Sequence, residues 1–194
     1  MLRVEDSDAA RTDTTAIDAL QSDLRWLGLA WDAGPGIDAP GDWQQSRRSA
    51  LHAEAAERLR AADAAYPCFC SVERLAALRE RQQRAGEPPR YDGCCAGIDP
   101  AQAAQRLAAG ESSVLRLRMP ADGAIEFTDQ VRGEQSFPAA DLDDPVIQRA
   151  DGSPAFLFAN AVDDALTGIT HVLRGEDHLS NTPRQLVLLE RLGL

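Results

Sequence analysis

Four cysteines crowded into one window pose the first chemical question. Cys68 and Cys70 form a Cys-x-Cys pair, and Cys94 and Cys95 follow as a vicinal pair. Thiolates are soft donors, and four of them fill a tetrahedral zinc site. Tyr91, four residues before Cys95, offers a phenolate as a less usual ligand. A disulfide framework would spread its cysteines along the chain, whereas clustering favours a metal. The alternative is a set of reduced thiols, buried or loose. A zinc here would be structural, since the pattern leaves no open coordination position and no adjacent general base.

Charge at the ends of apolar segments is the second feature. Val4 runs into Glu5-Asp6, and Leu173 into Arg174-Gly175-Glu176-Asp177. In open α/β sheets, ligands bind outside the carboxyl ends of the strands. Carboxylates placed there would hold an amino group, and Arg174 would clamp a carboxylate in a bidentate fork. Together they would select a zwitterionic or acidic small molecule; the plain alternative is that loops are polar. Of the histidines, His178 stands at a strand end beside Asp177. His52 reads as a surface or interface residue, and His171 as a core residue in a strand. Asp163-Asp164 reads as a polar loop at the sheet edge, without a metal. No serine nucleophile elbow and no Gly-rich phosphate loop is visible.

These groups need elements to position them. Leu2-Arg3-Val4 is a short strand signal. Ile17, Leu20, Leu24 and Leu27 recur at helical spacing, with Gly28 placed to cap the helix. A second helix, from about Ser46 to Ala65, turns Leu51, Ala55, Leu59 and Ala62 to one side. Ser71 caps a helix carrying Val72, Leu75 and Leu78, which stops before Gly86. Asp99-Pro100 opens a further helix, with Asp as cap and Pro at the first helical position; Gly110 ends it. Leu115, Leu117 and Met119 alternate with Arg116 and Arg118 as a strand, and Asp122-Gly123 turns into Ile125-Glu126-Phe127. Val146-Ile147 and Phe156-Leu157-Phe158 flank a turn at Asp151–Pro154. Ile169–Leu173 is an apolar strand, and a last helix opens near Pro183 with Leu186, Leu189 and Leu192 inward. The order is α/β at each end around a helix-plus-antiparallel insertion, which suits an open parallel sheet interrupted by an inserted domain.

Composition bounds the function. At 194 residues and 44% hydrophobic, the chain has the means to bury a core. A net charge of −11 argues against a chain built to coat nucleic acid, though a local basic patch is compatible with it. Every basic residue is Arg, so no P-loop lysine or lysine Schiff base is available. Apolar runs are far shorter than the ~20 residues a membrane span requires. No basic-then-apolar leader opens the chain, which places it in the cytoplasm.

Several segments resemble the bacterial glutamyl-tRNA synthetases. Leu2-Arg3-Val4-Glu5-Asp6-Ser7-Asp8 is similar to their "RIEDTD" strand, Leu24–Leu29 to "LRWLGL", Gln45–Arg48 to "QSER", and Pro88–Gly93 to "PPRYDG". The block from Val162 to Gln185, with Leu173-Arg174-Gly175-Glu176-Asp177-His178 at its centre, is the most specific. The resemblance runs the whole length in order. It implies the α/β fold of a class I aminoacyl-tRNA synthetase: a Rossmann-type parallel sheet, incomplete at both ends, with an inserted α+β acceptor-binding domain. Residues 1–65 and 145–194 would be the two parts of the catalytic domain. Residues 66–144 would be the zinc-containing insertion that grips the acceptor stem.

The implied reaction joins glutamate to ATP, with magnesium, as an adenylate and passes it to tRNA(Glu), the chain acting as a monomer. No covalent nucleophile is involved, and positioning and charge stabilisation carry the catalysis. By resemblance Glu5 would bind the α-amino group of glutamate and Arg174 its side-chain carboxylate. Phe156 and Asn160 would line the amino-acid pocket. Asp177 and His178 would lie beside the adenosine of ATP, while Asp8 and Arg11 would approach the tRNA end. Cys68, Cys70 and Cys95 would ligate zinc, with Tyr91 or Cys94 as the fourth donor because Gly97 stands where the family often has His. Phe156 stands where the family usually has Tyr, so one hydroxyl is missing. The His-x-Gly-His and Lys-Met-Ser-Lys-Ser motifs are expected before Met1 and after Leu194, so these 194 residues alone are expected to be inactive. Two other readings are a glutamyl-queuosine tRNA(Asp) synthetase and a non-catalytic, zinc-stabilised tRNA-binding module.

Overall fold

A computed structural model of the chain describes residues 1–7, 14–37 and 42–194. The chain divides into two compact units, Met1–Glu54 and Ala55–Leu194.

In the first unit, helix α1 (Thr14–Trp26) ends as its sequence dictates. Gly28 takes a left-handed φ of +75°, its N–H bonds to the Arg25 carbonyl, and the Leu29 N–H reaches back to that of Leu24. The inward face differs from the expected stripe. Gln21 is buried and Ile17 and Leu24 half-buried, but Leu20 and Leu27 are exposed. The expected strand at Leu2–Val4 is reduced to one parallel bridge between Val4 and Gln44. It is held by Val4 N–H to Trp43 O (2.7 Å) and Gln45 N–H to Val4 O (3.0 Å). Gly34 lets the backbone close on this segment, since a Cβ there would meet the Leu2 carbonyl at 2.8 Å. The Asp6 carboxylate accepts from the Ser46 N–H (2.8 Å) and hydroxyl (2.7 Å), tying the segment to the 3-10 turn Gln45–Arg48.

Helix α2 (Ser49–Ala61) crosses the division between the units. Its buried side chains are His52, Ala55, Ala56 and Leu59, while Leu51 and Ala62 are exposed. His52, expected at the surface or at an interface, is therefore buried.

The second unit is built on a three-stranded antiparallel sheet in the order β1 (Ala65–Cys68), β2 (Val114–Leu117), β5 (Val146–Gln148). Ala65 pairs with Leu117 and Cys68 with Val114. A separate hairpin joins β3 (Ala124–Asp129) to β4 (Gly133–Pro138). Helices α3 (Val72–Arg84) and α4 (Pro100–Ala108) begin at the expected caps. The Ser71 hydroxyl accepts from Arg74 N–H, and the Asp99 carboxylate from Ala101 and Gln102. Helices α5 (Phe156–Leu166) and α6 (Thr182–Leu192) complete the unit.

The main core gathers Leu59, Leu117, Ile147, Phe158 and Leu188, all fully buried. Each contributes roughly 1.5–3 kcal/mol by leaving water. A smaller cluster of Tyr66, Cys68, Tyr91 and Cys95 packs with Leu75, Ile98 and Val114.

Several expectations change here. Arg116, the outward member of an alternating strand, is buried, because β2 is the central strand and its second face meets Tyr91. Phe156–Phe158 opens helix α5, and Asp163 is buried within that helix instead of sitting in a loop. On α6 the buried residues are Pro183, Val187, Leu188 and Leu192, so Leu186 is left exposed. Ile169–Leu173 pairs with no strand among the described residues, and Val172, Leu173 and His171 are exposed. A strand exists only through its ladder, and apolar composition alone does not supply one.

Candidate functional site

Two groups of side chains in the second unit have chemical potential. The first is the cysteine cluster. Strand β1 ends in Cys68 and the chain then carries Cys70 to the start of α3, while Tyr91–Cys95 forms a turn closed by Ala96 N–H to Gly93 O (2.8 Å). The Sγ atoms of Cys68, Cys70 and Cys95 lie within 4.8 Å of one another. The Tyr91 hydroxyl joins them, 3.3 Å from Cys68 and 3.8 Å from Cys70, and accepts the Cys95 N–H at 3.0 Å. Cys94 Sγ lies on the solvent side of this set, 3.2 Å from Cys70, 3.7 Å from Cys95 and 3.8 Å from Tyr91.

Ligands about 2.3 Å from a tetrahedral zinc stand roughly 3.8 Å apart. The Cys70–Cys95 separation of 3.7 Å and the Cys70–Tyr91 separation of 3.8 Å match that spacing, so the donor set is compatible with zinc. Electrostatics agree. Burial and the crowding of neighbouring thiols push Cys70 up; burial does the same to Cys95 and to the Tyr91 hydroxyl. Burial also opposes ionisation of Cys68, but hydrogen bonds from Tyr91, the Cys70 backbone and Arg116 bring that thiol down. A divalent cation held at the centre would reverse the penalty on the others.

Two arginines support the cluster. Arg116 stacks over the Tyr91 ring at 3.7 Å and donates to the Asp144 carbonyl (2.7 Å). Arg74 reaches Cys70 Sγ at 3.6 Å while pairing with Asp92 at 2.7 Å. Strand alternation marked Arg116 as outward, and nothing in the spacing linked Arg74 to Asp92. Asp143 fastens the same region to α6, accepting from the Tyr91 N–H (3.1 Å) and from Arg184 (2.8 Å).

The second group lines one face of α5. Phe156, Asn160 and Asp164 recur at four-residue spacing and so share a side of the helix. His178, in the 3-10 turn Glu176–Asn181, lies against Phe156 with ring centroids 6.0 Å apart. Asp177 beside it is exposed. Arg174 is half-buried, and its hydrogen bonds run to neutral oxygens: Gln185 Oε1 at 2.8 Å and Thr182 Oγ1. Burial draws its guanidinium below the ordinary value, with the Asp164 charge opposing. A cation held by neutral acceptors is prepared for a carboxylate.

Phe156, Asn160, Arg174, Asp177 and His178 thus all belong to this unit. Glu5 belongs to the first unit, where it is exposed and pairs with Arg3 at 3.3 Å. Asp8 and Arg11 lie outside the described residues. No helix among the described residues is long and apolar enough to cross a membrane.

The second unit thus joins a cysteine cluster beside an antiparallel sheet to an arginine-bearing segment before helix α6. The chain belongs to the class I aminoacyl-tRNA synthetase family: the model of the class I tRNA synthetases (E and Q), catalytic domain, matches residues 1–194. Among characterised relatives it is 52% identical to Glutamate--tRNA ligase 2 of Nitrosococcus oceani over 195 aligned residues, covering 100% of this chain and 41% of that protein. Glutamate--tRNA ligase 2 of Coxiella burnetii is 50% identical, with 100% and 42% covered. A crystal structure of a glutamate tRNA ligase from Elizabethkingia meningosepticum in complex with its amino acid matches with a TM-score of 0.91 at 30% identity, covering 99% of this chain and 40% of that one. The chain therefore spans about two-fifths of the length of the relatives it matches.

Proposed function

We propose that these residues form part of a glutamate–tRNA ligase, which uses ATP with magnesium to activate glutamate and transfers it to tRNA(Glu). The observation that carries the reading is Arg174, a half-buried guanidinium whose hydrogen bonds end on neutral oxygens. Such a guanidinium suits the side-chain carboxylate of glutamate and disfavours the amide of glutamine, which brings donors to a donor. Asp177 and His178 serve the adenosine of ATP. The roles of Glu5 at the α-amino group, and of Asp8 and Arg11 at the tRNA end, rest on the resemblance alone. Residues 66–144 act as the acceptor-stem insertion between catalytic segments 1–65 and 145–194. Zinc held by Cys68, Cys70, Cys95 and Tyr91 would brace that insertion, with Tyr91 favoured by its approach to Cys68. The tyrosine donor also suits a synthetase that glutamylates queuosine in tRNA(Asp).

A graft separates these readings. The segment of the Nitrosococcus oceani ligase matching this chain is replaced by these 194 residues, and pyrophosphate exchange and tRNA charging are measured. Glutamate-dependent exchange with label on tRNA(Glu) is expected. Label on tRNA(Asp) would move the assignment to the queuosine enzyme. A folded graft without glutamate-dependent exchange would end the ligase reading.

A further inference from the structure

Five donors converge where four suffice. Cys68, Cys70, Cys95 and Tyr91 would supply the four donors of the proposed zinc site, leaving Cys94 Sγ in surplus and facing solvent. Its nearest sulfur is Cys70, at 3.2 Å, closer than Cys95 at 3.7 Å. The partner is one of the proposed ligands and sits beside the Arg74 guanidinium at 3.6 Å. Cys95 is buried, and Cys68 is buried behind Tyr91. Access and distance therefore select one pair.

We infer that Cys94 is an oxidation site through which a hydroperoxide opens the metal centre, by joining Cys94 to the ligand Cys70. The step rests on the zinc reading above and balances as follows. The Cys94 thiolate attacks one oxygen of hydrogen peroxide, the O–O bond breaks, and a sulfenic acid forms with release of water. The Cys70 thiolate attacks Cys94 Sγ, the S–O bond breaks, and a second water leaves. Two thiolates lose two electrons, two protons from solvent neutralise the two leaving hydroxides, and the peroxide is reduced to two waters. Cys70 then no longer donates to the metal, and a site reduced to three ligands releases it. The exposed position of Cys94 makes it the entry point, and the ligand position of Cys70 makes the chemistry consequential.

The test uses the zinc-loaded 194-residue chain treated with hydrogen peroxide. Released zinc is followed with a chromogenic chelator, and the disulfide is located by fragmentation of a non-reduced digest. A Cys70–Cys94 bond forming in step with zinc release, reversed by a thiol reductant, is expected. Cys94→Ser should hold the same zinc beforehand and release it ~tenfold more slowly. Release from Cys94→Ser at the parent rate, loss of zinc from it before oxidation, or a disulfide mapped to another pair would each overturn the inference. The zinc reading fails separately: a chain that takes up no zinc yet still forms the Cys70–Cys94 bond would sink that reading and leave the oxidation site standing.

Discussion

Asp143 is a single carboxylate joining the cysteine-cluster segment to helix α6, so its replacement should be felt in both. It accepts from Arg184 at 2.8 Å and from the Tyr91 N–H at 3.1 Å, and both side chains of the ion pair are mostly shielded, at 28% and 18% exposure. Exposed pairs contribute ~0–1 kcal/mol, and breaking a buried one costs ~3–5 kcal/mol. The intermediate burial here puts Asp143→Asn at about 2 kcal/mol, or a fall in Tm of about 4–8 °C for a chain of this size. Burial works to raise the Asp143 carboxyl, but Arg184 and the Tyr91 N–H outweigh it and hold the group below its ordinary value. A depressed folded value means the contribution is present above the unfolded pKa near ~3.9 and lost as pH falls through the folded one. The deficit of the variant should therefore be complete at pH 7 and vanish in acid. Urea melts of the parent, Asp143→Asn, Arg184→Met and the double variant measure the coupling directly. Costs that add to within ~0.5 kcal/mol, or a deficit unchanged at pH 3, would refute the assignment.

Further outcomes follow from the core and the sites. Leu59→Ala opens a cavity under α2 at a fully buried position and should cost ~2–5 kcal/mol in denaturant melts. Removing the proposed zinc with a chelator should loosen the cysteine cluster, seen as faster amide exchange at Tyr91–Cys95, with the main core of Phe158 and Leu188 little changed. In the graft, Phe156→Tyr should supply one hydroxyl to the amino-acid pocket and lower KM for glutamate by roughly 3–10-fold, the value of one hydrogen bond.

What the sequence made legible was mostly local chemistry. Ser71, Asp99-Pro100 and Gly28 act where they stand, because caps depend on a few neighbouring residues. The cysteine window was readable for the same reason, since four thiols of one type in one region have few other uses. Burial on both sides of an element was not readable. Arg116 followed the alternation of an edge or half-exposed strand, but β2 is central and its polar face meets the Tyr91 ring. His52 and Asp163 show the same effect on helices, where a polar residue on a face packed by tertiary neighbours goes inside. Ile169–Leu173 failed differently: its composition favours a strand, but pairing depends on a partner that no local pattern encodes. Arg174 was visible as a charge after an apolar run. Its neutral partners, Gln185 and Thr182, come together only when that segment folds back on α6.

The most direct test of glutamate recognition compares charging of the graft with glutamate and with glutamine, before and after Arg174→Gln. Losing a charge-assisted fork should lower kcat/KM for glutamate by about 10²–10³ and leave the low value for glutamine unchanged or raised, so the preference collapses. A graft that keeps its glutamate preference without Arg174 would show that the carboxylate is read elsewhere.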